Sequence, residues 1–252
     1  MTEPTLIDNT HPSYPSPTIQ EALCEIRFPA DPLRFPSQFA LVWDRLRGEF
    51  AQLETHMDVF LPSATNVIFS GPLLSQPRFL LRHARRSFLL QFSPGAFTLN
   101  TLAPYLGWQT MREDIAAAWQ NVQEVLATPT VANITVRYIN HVPLSPGDPE
   151  GWLVAGDYVP SSVVSAVPPF QSRVQTGTGT GDTKTLAIGH AGTPGAADFA
   201  MVVDIERISS GNFAADAAQV MDRADALHED IWDLFEAVKG PRWNDVLEGK
   251  PR

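Results

Sequence analysis

The sequence predicts an α+β protein made of two similar halves, in which antiparallel strands are backed by helices on one sheet face. The main observation is residues 131–144, the longest unbroken strand pattern, which lies near the midpoint of the 252 residues. The stretch before it reads as a strand, a helix, several strands and a helix. The stretch after it reads as strands closed by a long helix. We therefore expect a first half over residues 18–130 and a second half over residues 131–252, related by a pseudo-twofold axis.

The N-terminal residues are predicted to form a flexible arm. Residues 1–17 carry four prolines among mainly polar side chains, and they lack the basic start and apolar core of a signal peptide. We expect order to begin with a strand over residues 21–28, where Ala22, Cys24 and Ile26 share one half-buried face.

A helix, several strands and a second helix should complete the first half. Apolar side chains recur every three or four residues over 37–57, which indicates an amphipathic helix. Thr110 and Glu113 are spaced as a capping box at the start of a second helix, which Pro129 stops. Between the helices, short strand patterns and turn residues predict neighbouring antiparallel strands at 59–61, 67–69, 79–82, 87–92 and 97–101.

The second half should follow the same order. Residues 145–149 break the opening strand with prolines and a glycine, and residues 150–169 are ambiguous. The chain closes with a long amphipathic helix over 212–239, which Gly240 and Pro241 terminate. Before that helix, strand patterns separated by glycine-rich loops occur at 171–176, 185–189 and 199–208.

This order of elements resembles the TATA-box-binding-protein-like architecture, in which a strand and a helix are followed by a run of strands and a helix. Two arrangements remain open: two antiparallel sheets, or one continuous sheet with a pseudo-twofold relation. In both, the helices cover one face and leave the other for contacts. The likeness concerns the fold and implies no function.

Several short motifs occur in order along nearly the whole chain. They are PTIQEALCEIRF at 17–28, Tyr105 with Trp108, RYIN at 137–140, VVDIE at 202–206, and Leu227-His228 leading to Phe235-Glu236. Together they resemble a sporadically distributed bacterial family of about this length, whose members are mostly uncharacterised. The resemblance implies no known activity. The patchy distribution of that family implies carriage on mobile or defence-linked loci.

The composition argues against some classes of partner. The formal net charge is −10 and the pI is about 5.0, which disfavours general binding of nucleic acid or anionic membranes because phosphates would be repelled. No run approaches the ~18 apolar residues of a membrane-spanning helix. Cys24 is the only cysteine, so no intrachain disulfide is expected and a cytoplasmic location is predicted.

Five charged residues on predicted strands form the main candidate site: Glu25, Arg27, Arg137, Asp204 and Glu206. They are either a salt-bridge network on a partly open sheet face or a polar binding site. In a binding site, Arg137 would act as an anion fork, since a guanidinium pairs bidentately with carboxylate or phosphate. A carboxylate pair would serve acid–base chemistry or a divalent cation. We expect Arg137 and Asp204 to lie within contact distance.

One basic cluster surrounds a predicted hairpin turn and contains Arg78, Arg82, Arg85 and Arg86. It is either a solvated loop or a local contact for phosphate or an acidic protein. The outer face of the last helix is acidic, which is typical of a solvated face and otherwise of a surface that docks a basic partner.

No metal site or cofactor is predicted. His228-Glu229 begins like the helix of a zinc protease, but Trp232 occupies the place of the second histidine, so that motif is absent. The glycine-rich residues 177–182 lack the Lys-Ser/Thr pair of a phosphate-binding loop.

We expect a non-catalytic accessory module that binds a protein partner or forms a homo-oligomer, in a bacterial defence or mobile-element system. The reasons are the missing catalytic spacing, the acidic surface and the open sheet face. The alternative is a small-ligand-binding or nucleotide-binding protein, with or without enzymatic activity, that uses the charged cluster. Nucleic-acid binding through the basic cluster ranks last because of the net charge.

Overall fold

In the computed structural model of the protein, nine antiparallel strands form one continuous sheet within the described part of the chain. The described residues are 11–60, 74–144, 150–166, 169–177, 181–193, 196 and 199–250. The strands are β1 (Ile19–Arg27), β2 (Gln52–Phe60), β3 (Leu74–Arg82), β4 (Phe88–Ser93), β5 (Ala96–Leu102), β6 (Thr130–Pro143), β7 (Ser172–Gly177), β8 (Thr183–Ala191) and β9 (Ala200–Ala214). Their order across the sheet is β2-β3-β4-β5-β1-β6-β9-β8-β7. Of the two arrangements left open, the continuous sheet is therefore observed.

The helices in these ranges are α1 (Phe35–Leu46), α2 (Trp108–Leu126), α3 (Ser161–Val164), α4 (Ala217–Val238) and α5 (Pro241–Leu247). α1, α2 and α4 cover one face of the sheet, because the strand side chains that alternate toward them are buried. Phe97 of β5 and Trp119 of α2 are both fully buried, with ring centroids 5.9 Å apart. The predicted α+β class with an antiparallel sheet is thus confirmed.

The opening strands of the two halves pair with each other at the centre of the sheet. Cys24 of β1 lies opposite Val136 of β6, and Tyr138 lies opposite Ile205 of β9. β5 borders β1 on its other side, and β9 borders β6. All four side chains are buried, so the hydrophobic core runs without interruption from one half to the other.

The first helix is shorter than predicted. α1 ends at Leu46, and β2 then pairs with β3 from Gln52 opposite Arg82. Leu53 and Met57 continue the helical spacing in the sequence, but they lie on a strand and remain 42% and 57% exposed. A separation of four residues puts two side chains on the same face of a helix and also of a strand, so the spacing alone was ambiguous. The strand predicted at 67–69 lies outside the described residues.

Two helix starts also differ from the prediction. α2 begins at Trp108, so Thr110 lies inside the helix and not at its N-cap. The Thr110 hydroxyl donates to the Leu106 carbonyl oxygen at 3.4 Å, and the predicted capping box is therefore wrong. α4 begins after Asp216, whose carboxylate accepts a hydrogen bond of 3.1 Å from the Gln219 main-chain N–H. β9 stays paired with β6 beyond residue 212, which delays the start of α4.

The ambiguous region after β6 contacts the end of α4. Leu153 forms an isolated antiparallel bridge with Lys239, and the Gly240 N–H donates to the Trp152 carbonyl at 2.8 Å. The stop signal at Gly240 is confirmed, and α5 begins directly after it at Pro241.

Candidate functional site

The sheet face opposite the helices brings the predicted charged residues together. Glu25 and Arg27 lie on β1, Arg137 lies on β6, and Asp204 and Glu206 lie on β9. Each alternates with buried residues that face the helices, so all five project from the same face, which no helix in the described ranges covers. β1, β6 and β9 are consecutive in the sheet, which makes the cluster its central part.

Arg137 and Asp204 form a two-bond ion pair, which confirms the predicted contact. Arg137 Nε lies 2.8 Å from Asp204 Oδ1, and Nη2 lies 2.6 Å from Oδ2. This hydrogen bonding to Asp204 is the main reason that the pKa of Arg137 is raised above its usual value. The fork that would bind a phosphate is therefore occupied by a side chain of the protein itself.

Two further carboxylates lie near the same guanidinium. Glu206 is directly opposite Arg137 in the strand register, and Glu21 of β1 also contributes to the raised pKa of Arg137. Glu21 accepts a hydrogen bond from the neutral amide of Asn100. Among the described residues, Glu206 has no hydrogen-bond or ion-pair partner. The centre of the open face thus places three carboxylates around one guanidinium, an excess of negative charge.

Glu25 and Arg27 pair with each other beside this centre. Arg27 Nε lies 2.6 Å from Glu25 Oε1, and the Thr98 hydroxyl lies 3.4 Å from the other carboxylate oxygen. The Arg27 side chain is 55% exposed, so this pair is screened by solvent and contributes little to stability.

The basic cluster is divided between two surfaces. Arg78 and Arg82 lie on β3 and point to the open face, where Arg78 donates to Gln91 at 3.0 Å and Arg82 donates to Glu54 at 2.5 Å. Hydrogen bonding from Arg82 is the main reason that the pKa of Glu54 is lowered. These two cations are therefore engaged within the sheet.

The other two arginines of the cluster lie at the β3–β4 turn. Arg86 reaches the helix side, where Nη1 lies 2.8 Å from Asp114 of α2 and the guanidinium lies over the Phe88 ring at 4.5 Å. Arg85 has no ion-pair partner among the described residues. The four residues do not form one free basic patch.

A second candidate site lies on the helix side, where the N-terminal residues cross α4. The predicted flexible arm covered residues 1–17, of which 11–17 are described and pack against the protein. His11 stacks on Trp232 with ring centroids 4.2 Å apart, and the Tyr14 hydroxyl donates to Glu236 at 3.0 Å. The proline content was the basis for predicting a flexible arm, and it did not reveal that His11 and Tyr14 contact side chains of α4.

A cavity of about 80 Å³ lies between this segment, α4 and the sheet. Apolar and aromatic side chains form most of its wall, among them Tyr14, Ile205, Trp232 and Phe235. It exceeds the roughly 10–15 Å³ that one buried water requires.

Three hydrogen-bonding side chains form a chain along the cavity wall. The Tyr138 hydroxyl lies 3.0 Å from the Tyr105 hydroxyl and 3.1 Å from His228 Nδ1. Burial raises the pKa of both tyrosines. Burial, and secondarily the charge of His11, lowers the pKa of His228 to about 3, so its imidazole is neutral at physiological pH. Trp108 stacks on the His228 ring at 4.5 Å.

One group of side chains at the edge of this cavity has donor atoms suited to a metal ion. His11 Nε2 lies 2.9 Å from both carboxylate oxygens of Glu229. One donor atom each from His11, His228 and Glu229 lies within 4.8 Å of the other two. The sequence motifs contained His228, but no spacing connected it to His11, because the two lie at opposite ends of the chain.

No protein-family model matches the chain, and no curated protein is significantly similar to it. The bacterial family suggested by the motifs therefore stays a prediction. None of the helices in the described ranges combines the length and the apolar character needed to cross a membrane.

Proposed function

We propose that the protein is a non-catalytic binding module whose open sheet face recognises a basic segment of a protein partner. The observation that carries the proposal is the excess of carboxylates at the centre of that face. Asp204 already satisfies Arg137 with two hydrogen bonds, whereas Glu206 has no hydrogen-bond or ion-pair partner among the described residues and Glu21 has a neutral hydrogen-bond partner.

A partner with lysine or arginine side chains would supply the missing positive charge. An ion pair that stays exposed contributes only about 0.2–1 kcal/mol, but complementary charge also increases the rate of encounter and selects the partner. The rest of the protein strengthens this preference, since the formal net charge is −10. A second copy of the same chain is disfavoured on this face, because two acidic surfaces repel each other.

A small anionic ligand fits the face less well. The guanidinium fork of Arg137 would have to leave Asp204, and the displaced carboxylate would then be left half-buried without its cation. The protein-binding function is therefore preferred over the nucleotide-binding one.

We also propose a twofold relation between the two halves of the sheet and a cytoplasmic location for the protein. The five strands β1–β5 and the four strands β6–β9 would be related by an approximate twofold axis between β1 and β6, as in the TATA-box-binding-protein-like architecture. The module would act in the cytoplasm, which suits its lone cysteine thiol, as an accessory component of a bacterial defence or mobile-element system.

A charge-matched pair of variants tests the proposal. Glu21→Gln/Glu206→Gln removes two negative charges from the open face, and Asp222→Asn/Asp233→Asn removes two from the exposed side of α4. The probe is a short lysine–arginine peptide, titrated by calorimetry at low ionic strength. We expect the open-face variant to weaken binding about tenfold, the effect of two surface pairs, and the α4 variant to change it less than about twofold.

The same proteins should be treated with a zero-length carboxylate-to-amine cross-linker together with an extract of the source cells. Cross-links to a partner should map to Glu21 and Glu206 in the unmodified protein. Equal losses of peptide binding in the two variants would show nonspecific charge attraction and would refute the proposal. The proposal would also be refuted if the protein formed a homodimer and the open-face variant dimerised more tightly than the unmodified protein.

A further inference from the structure

The imidazole of His228 on α4 is held in one orientation by its neighbours. Its Nδ1 lies 3.1 Å from the Tyr138 hydroxyl, which is in turn 3.0 Å from the Tyr105 hydroxyl. The ring is also fixed by Trp108, which stacks on it with an interplanar angle of 13°. Histidine ligands of metals characteristically use one ring nitrogen for the ion and the other for a hydrogen bond that orients the ring. The Tyr138 contact occupies Nδ1 and leaves Nε2 for coordination.

His11 supplies a second imidazole from a distant part of the chain. In a zinc-protease helix the second histidine follows the first by four positions, and here that position is Trp232. His11 stacks on the Trp232 ring at 4.2 Å, and its ring centroid lies 5.7 Å from that of His228. Trp232, which stands where the motif would have its second histidine, therefore positions His11 on the same side of the helix.

Glu229 adds a carboxylate to the two imidazoles. Both of its oxygens lie 2.9 Å from His11 Nε2, and the side chain is 54% exposed, so it can adjust to a ligand. The three donor atoms lie within 4.8 Å of one another. Two donor atoms that each lie about 2.0–2.2 Å from one tetrahedral zinc ion are roughly 3.3 Å from each other. When zinc binds, the distances between the three donor atoms would therefore have to shorten by about 1.5 Å at most. His11 lies outside the helices and strands, so it can make that movement without disturbing the core.

From this geometry we infer that His11, His228 and Glu229 form a binding site for a divalent transition-metal ion of the zinc class. Two imidazoles and one carboxylate are the donor set of many zinc sites that keep a fourth position for water or another ligand. Bound zinc would tie the segment around His11 to α4 at the edge of the cavity. The site lies on the helix side of the sheet, so its failure would leave the proposal for the open face untouched.

Calorimetric titration of the EDTA-treated full chain with zinc chloride tests the inference. We expect one ion per chain, and we expect His11→Ala and Glu229→Gln each to weaken binding at least about 100-fold because each removes a ligand. The Tyr138 hydroxyl orients His228 and is not itself a ligand, so Tyr138→Phe should weaken zinc binding by about 10–100-fold. Asp233→Asn is the matched control, since it removes an exposed carboxylate of the same helix and should bind like the unmodified protein.

Cobalt(II) provides an independent readout. It should give the visible absorption of a four- or five-coordinate nitrogen–oxygen site in the unmodified protein, and His11→Ala should abolish it. His11 and Glu229 lie at the surface edge of the site, so their variants should fold even if a variant of the buried His228 does not. Absence of zinc binding in the unmodified protein, or binding that both ligand variants retain, would overturn the inference. The contact of His11 with Glu229 would then be a simple ion pair.

Discussion

Replacing Tyr138 with Phe should lower the free energy of unfolding by about 2–4 kcal/mol, because one hydroxyl serves two polar partners. That hydroxyl lies 3.0 Å from the Tyr105 hydroxyl and 3.1 Å from His228 Nδ1, and the Tyr138 side chain is only 4% exposed. Each buried polar group left without a partner costs about 1–3 kcal/mol. The aromatic ring remains in the variant, so the cost of a new cavity is small.

Tyr105→Phe is the control for this experiment. It removes the end of the chain of hydroxyls, while Tyr138 keeps its hydrogen bond to His228. The expected cost is therefore that of one ordinary hydrogen bond, about 0.5–1.5 kcal/mol. The order of the two effects, with Tyr138→Phe the larger, follows from the geometry and does not depend on the absolute values.

The measurement is equilibrium unfolding in urea, followed by tryptophan fluorescence and far-ultraviolet circular dichroism in a buffer with EDTA. The chelator excludes any contribution from a metal bound to His228. Equal slopes against urea for all variants would show that only the stability has changed. The reasoning would be refuted if the unfolding free energy of Tyr138→Phe lay within about 0.5 kcal/mol of that of the unmodified protein. It would also be refuted if Tyr105→Phe lost as much unfolding free energy as Tyr138→Phe.

Four other predictions, on Cys24, Gly240 and Trp119, have defined outcomes. Burial raises the pKa of the Cys24 thiol to about 12, so alkylation by iodoacetamide at neutral pH should follow only the unfolded fraction as urea is added. An unfolded thiol ionises near 9.0, so the thiol alone should make stability fall with rising pH by up to about 1.4 kcal/mol per unit between these two pKa values. Cys24→Ala should remove this contribution, so its stability should fall less steeply than that of the unmodified protein. Gly240→Ala would place a Cβ 2.3 Å from the Gly151 carbonyl oxygen and should cost about 1–3 kcal/mol in urea unfolding, whereas Gly48→Ala, with no atom within 4 Å, should change stability by less than about 0.5 kcal/mol. Trp119→Phe removes an indole N–H that donates to a main-chain carbonyl at 2.8 Å and should cost about 2–4 kcal/mol; an unchanged urea midpoint would show that this bond is dispensable.

Period-two patterns predicted the central strands well. In β6 the alternation of buried and charged residues placed Arg137 on the opposite face from Val136, and the structure confirms it. The same rule put Asp204 on one face of β9. The contact of Asp204 with Arg137 also requires β6 and β9 to be neighbours, which the alternation does not determine. Where a four-residue spacing fitted both helix and strand, as at Leu53 and Met57, pairing with β3 decided the outcome.

The site on the helix side could not be predicted in the same way. His11 and Glu229 are 218 positions apart, and local spacing carries no information about contacts of that range. Trp232 read as the residue that breaks a metal-binding motif, and only the packed structure shows that it stacks against His11. The division of the basic cluster has a similar cause, since Arg82 and Arg86 find carboxylates on different elements.

By itself, the sequence determined which faces of the strands are apolar, how many charges they carry and that helices back the sheet, because these follow from side-chain alternation and local backbone preference. Only the tertiary structure decided that β1 and β6 lie side by side, that three carboxylates lie near the Arg137 guanidinium, and that His11 lies beside His228 and Glu229 of α4. The physical reason is that these features depend on distances between residues far apart in the chain, which are set by packing of the whole core.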